Sequence, residues 1–103
     1  TYVEAARRLA ERMMTEGGAA PQDRISYGYR LATAHGPRPD AQTILVAGFQ
    51  YHLARYQADR AAAVELVSQG EHVRDETLDV AELASYTMVA NLILNLDGTI
   101  TKE

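Results

Sequence analysis

Asp79-Val80-Ala81-Glu82-Leu83-Ala84-Ser85-Tyr86-Thr87-Met88-Val89-Ala90-Asn91-Leu92-Ile93-Leu94-Asn95-Leu96 carries its own start signal for a helix. Asp79 and Glu82 stand three apart, the spacing of a capping box, in which the first side chain accepts from an early helical amide and the second reaches back. Leu83, Tyr86, Ala90, Ile93 and Leu94 then recur at helical spacing and mark the packed side. Gly98 stands just past the expected end near Leu96.

Four more segments upstream follow the same grammar. Thr1 to Glu4 has capping-box spacing, and Ala6, Leu9, Ala10 and Met13 form an apolar stripe that Gly17-Gly18 interrupts. Pro21 suits a first helical turn, with Asp23 beside the positive end of the dipole. Ile25, Gly28, Tyr29 and Ala32 make the second stripe, where Gly28 marks a close helix–helix approach, and His35-Gly36-Pro37 ends it. The third and longest helix runs from Pro39-Asp40 to about Ala58, as the central helix, with Leu45, Gly48, Phe49, His52, Leu53 and Tyr56 on one face. Asp59 caps a short fourth helix from Arg60 to about Gln69, turned inward through Ala63, Leu66 and Val67 and closed by Gly70. Residues 71–78 form a polar connector. No stretch alternates with period two for long enough to make a strand. The expectation is an all-α, compact bundle of about five helices with short connections.

The chain has 103 residues and a 47 % apolar content, of which seventeen residues are alanine, with no tryptophan and one phenylalanine. That suits one domain, spanning 1–103, with closely packed helices. The absence of cysteine excludes disulfides, a thiol nucleophile, thiolate metal sites and covalent haem attachment in this stretch. The net charge of −4 conceals an excess of arginine over acids in the first sixty residues and an acidic remainder. Arg7, Arg8 and Arg12 alternate with Glu4, Glu11 and Glu16, which reads as a solvated helix face rather than a nucleic-acid stripe. No apolar run reaches membrane-spanning length, so no membrane insertion is expected. The chain begins at Thr1 without an initiator methionine, which suggests a piece of something longer.

Chemistry-bearing residues are few. His35 sits in a turn. His72 lies among Glu71, Asp75 and Glu76, but their spacing matches no metal-ligand signature, and a solvated acidic loop is the favoured reading. His52 falls on the apolar stripe one turn before Tyr56. There it acts either as an acid or base toward a ligand, or, the favoured reading, as a core-edge histidine bonded to a tyrosine or carbonyl. Six tyrosines outnumber the lone phenylalanine, and their hydroxyls favour the rim of a core. Tyr51, Tyr56 and Tyr86 together with His52 are therefore the candidate interaction surface. No phosphate loop, nucleophile elbow, zinc-protease pair or calcium loop is present.

Residues 78–97 resemble the closing segment of a large family of planctomycete proteins, which ends in a stretch of the form ELAAYTxVAxLLLNLD. The stretches 54–59, 66–71 and 24–39 are similar to upstream parts of the same domain. Arg60 stands where that family usually has proline, and Gly98 where an acid is usual. The resemblance implies a domain of unknown function at the C-terminus of a long exported protein, periplasmic or at the cell surface. Its upstream domains often include a cytochrome c domain, so any haem is expected there and no cofactor in this chain.

Three functional expectations follow. One is a non-catalytic helical structural or interaction module that packs against the remaining domains of its parent, with homo-oligomers left open. A second is a contribution, through His52 and Tyr56, to an active site in a redox or polysaccharide-processing enzyme. A third is docking to a cytochrome domain through the acidic half.

Overall fold

In a computed structural model, which describes residues 2–70 and 73–96, five helices follow one another: α1 (Tyr2–Glu16), α2 (Pro21–Thr33), α3 (Pro39–Ala58), α4 (Arg60–Val67) and α5 (Val80–Leu96). The described residues contain no strand, and the all-α bundle expected from the sequence is the fold observed. Its Cα atoms span 32 × 28 × 21 Å.

The helix ends follow from local chemistry. Pro21 and Pro39 open α2 and α3, where a missing amide hydrogen costs nothing. Asp59 accepts from the Ala62 amide at 3.1 Å to start α4, and Asp79 accepts from the Glu82 amide at 2.9 Å to start α5. The reciprocal half of that second box is not used: Glu82 turns instead to the Arg24 guanidinium, 3.6 Å away on α2. Thr1 and Gly98, to which capping roles were also assigned, lie outside the described residues. Helix α4 stops at Val67, two residues before the expected end near Gln69.

A glycine takes the left-handed cap after α1, as expected, but not after α2. Gly18 takes the left-handed conformation after α1, at φ +95°, whereas Gly17 serves a close approach. A Cβ at Gly17 would lie 2.5 Å from the Met13 carbonyl oxygen and 2.9 Å from the Arg24 Cα. Helix α2 ends on Ala34, a non-glycine residue at φ 72°, whose amide donates to the Arg30 carbonyl. Gly36, two residues later, does not supply the left-handed cap.

The central helix is α5 rather than α3. It touches each of the other four helices, and nearly all its side chains from Val80 to Ile93 are buried or half-buried. Its composition explains this. Ala81, Ala84, Ser85 and Ala90 let neighbours approach closely, and the residues are apolar around most of the circumference, as in a helix enclosed on all sides. The buried Ser85 and Thr87 hydroxyls donate to the carbonyls of Ala81 and Leu83, both at 2.7 Å, so neither is left without a partner. Around this axis pack Ala6, Ala10 and Met13 of α1, Ile25 of α2, Leu45 and Phe49 of α3, and Ala63 and Val67 of α4. The expected close approach at Gly28 is present: its missing Cβ leaves room for Met13, whose Sδ would lie 2.5 Å from it.

Candidate functional site

The four candidate surface residues separate. Tyr86, only 1 % exposed, stacks on Phe49 with ring centroids 4.1 Å apart, and the Arg24 guanidinium lies 5.6 Å from its centroid. Burial pushes its hydroxyl pKa up. Tyr56, 5 % exposed, is likewise a core residue. Both are therefore corrected from surface to interior: Tyr86 belongs to α5, the helix enclosed by the other four, and Tyr56 lies on the buried side of α3 with Leu45 and Phe49. Tyr51 is 67 % exposed, and His52 sits half-buried on the shoulder of α3 between it and Tyr56.

His52 touches Tyr51 edge-on at 5.4 Å between centroids and lies nearly parallel to Tyr56 at 6.5 Å. Its Nδ1 is buried with no hydrogen-bond partner among the described residues. Burial, and then the nearby Arg55 cation, hold its pKa below the ordinary 6.5, so the ring is neutral at pH 7. No bond from a tyrosine hydroxyl or a backbone carbonyl reaches that nitrogen, contrary to the reading favoured from sequence. Among the described residues no group of three or more histidines and carboxylates is placed to hold a metal. Glu71 and His72 lie outside the described residues.

Two surfaces were not evident from the sequence. An open groove of about 600 Å³ runs between α1, α2 and the end of α5. Leu9, Leu31, Ala32 and Leu94 line it, with Arg8, Glu11, Arg12 and Asp75 around them. Leu31 lies off the α2 stripe, and only the crossing of three helices gives it apolar company. Glu11 also ties down the connector, since its carboxylate accepts from the Asp75 amide at 2.9 Å. The second surface is the outer side of α3, where Ile44 and Tyr51 are 66 % and 67 % exposed. Between them Gly48 faces open space, with nothing within 4 Å of where a Cβ would be.

Helices α1 and α2 are joined at the surface by a three-residue network. The Tyr27 hydroxyl donates to the Glu16 carboxylate, which also accepts from Arg12 at 3.1 Å. The tyrosine first, and then the arginine, lower the Glu16 pKa. Arg7, placed with Arg8 and Arg12 on the solvated face by the sequence, is instead 1 % exposed. Nothing in the local charge pattern marks it, because its burial depends on α4 closing over α1.

The chain matches no protein-family model, no curated protein and no solved structure.

Proposed function

We propose that this chain is a non-catalytic helical interaction module that sits at the C-terminus of a longer exported protein and packs against its remaining domains. The groove between α1, α2 and α5 carries this reading. An apolar centre of Leu9, Leu31 and Leu94 ringed by charges of both signs is the anatomy of a protein contact. Its polar groups are engaged within the chain, Glu11 by the Asp75 amide, the Thr15 hydroxyl by the Glu11 carbonyl and Arg12 by Glu16, which favours a surface over a reaction site. It also opens beside Ala5 and Arg8, in the second turn of α1. The exported, planctomycete-type context rests on the sequence resemblance alone, carried chiefly by residues 78–97 and also by 24–39, 54–59 and 66–71.

Hydrogen exchange tests this reading. The amides around Leu9 and Leu31 should exchange more slowly in the longer protein than in the isolated chain, and Leu31→Asp should abolish the difference. Equal exchange in both settings would refute it.

A second reading has one observation in its favour. The unpartnered, neutral Nδ1 of His52 beside Tyr56 is the state of a base that contributes to a composite active site of a redox or polysaccharide-processing enzyme. His52→Ala with unchanged turnover and folding in the longer protein would eliminate it.

A further inference from the structure

The outer face of α3 is symmetric in a way that its own fold does not require. On a helix of 3.6 residues per turn, Asp40, Ile44, Ala47, Gly48, Tyr51 and Arg55 lie within about 100° of one another. They point away from the Leu45, Phe49 and Tyr56 side that packs into the core. Residues equidistant from the midpoint between Ala47 and Gly48 are complementary. Ile44 corresponds to Tyr51, and Asp40 corresponds to Arg55. Gly48 at this midpoint is unexplained within the chain. It costs a helix interior about 1 kcal/mol against alanine, and no neighbour needs the space.

We propose that α3 pairs antiparallel with α3 of a second copy of this chain, about a two-fold axis passing between Ala47 and Gly48. In that arrangement each Ile44 packs on Tyr51 of the other copy, and each Asp40 meets Arg55 of the other copy. Every contact is made twice, as an isologous interface demands. A parallel pairing would set Asp40 against Asp40 and Arg55 against Arg55, so charge selects the antiparallel one. Both groups keep their charge in solvent while touching neighbours in the chain: the Asp40 side chain, 76 % exposed, accepts from the Ala41 amide and lies 3.8 Å from the still more exposed Arg38, and the exposed Arg55 lies 5.6 Å from the Tyr56 ring centroid. Ala47 and Gly48 at the crossing let the two backbones approach closely. One helix buries less than the roughly 800 Å² per partner of a stable complex, so the dimer dissociates in about the tens to hundreds of micromolar range.

Sedimentation equilibrium from about 10 µM to 1 mM tests the pairing, with far-UV circular dichroism of each variant to verify folding. Asp40→Arg and Arg55→Asp should each weaken self-association about fivefold or more. An equimolar mixture of the two variants restores both cross-contacts and should associate like the wild type, as should the D40R/R55D double variant. Gly48→Leu, which fills only open space in the single chain, should leave folding intact and block pairing. A chain that stays monomeric to 1 mM would overturn the proposal. So would a dimer indifferent to these changes, or a mixture no stronger than its components.

Discussion

The guanidinium of Arg7 on α1 lies buried against the last turn of α4, its Nη1 donating to the Val67 carbonyl oxygen at 3.4 Å across sixty positions of sequence. That carbonyl belongs to the negative end of a helix dipole, which favours a cation there. The single long bond leaves Nε and Nη2 buried without partners among the described residues. Each such donor carries a desolvation cost of about 1–3 kcal/mol. Arg7→Met keeps most of the volume and removes both unsatisfied groups, so it should raise stability by about 1 kcal/mol. Arg7→Ala should lower it by about 2 kcal/mol or more, because it also leaves a cavity. Urea unfolding of the two variants checks the opposite signs.

Three glycines should respond to alanine in a fixed order. Gly48→Ala gains helix propensity with no contact to disturb, and should stabilise the monomer by about 0.5–1 kcal/mol. Gly28→Ala gains the same propensity but drives into the fully buried Met13 side chain, for a net loss of about 1–2 kcal/mol. Gly17→Ala collides with the backbone of α1 and α2, which cannot rotate away, and should cost the most. Thermal melts at a few micromolar, well below the range where α3 pairs, give the ranking.

Ala34 holds a left-handed conformation at φ 72°, ψ 5°, which costs an L-residue about 1–2 kcal/mol. Glycine removes that strain and loses about 0.4–1 kcal/mol through a freer unfolded chain. Ala34→Gly should therefore raise stability by about 0.5–1 kcal/mol, visible as a higher melting temperature. No change or a decrease would mean that the turn after α2 is held by other contacts.

The sequence was legible wherever one residue type answers one local need. Pro21, Pro39, Asp59 and Asp79 each start a helix by a geometry internal to a few residues, and four of the five segments followed from them. The layering was not legible. Helices α3 and α5 are both apolar enough to be central, and the choice depends on which one the other four surround. Arg7, Tyr56 and Tyr86 were misplaced for that reason: their exposure is decided by helices far away in sequence. Ala34 escaped notice because left-handed alanine has no sequence signal, and the groove because its floor is assembled from three helices.

His52 should make stability depend on pH in one direction. Burial and Arg55 disfavour the imidazolium in the folded chain, so its native pKa lies below the 6.5 of an unhindered histidine. The unfolded chain then binds the proton more readily, and protonation pulls the equilibrium toward unfolding. The stabilising effect is complete above 6.5, declines as the pH falls through that value, and is exhausted below the lower native pKa. His35 and His72 remain in a His52→Gln variant, so comparison with the wild type isolates this one group. Between pH 7.5 and 5 the wild-type urea midpoint should fall further than that of the variant. A His52 ring titrating at or above 6.5 in NMR would contradict the burial on which this prediction rests.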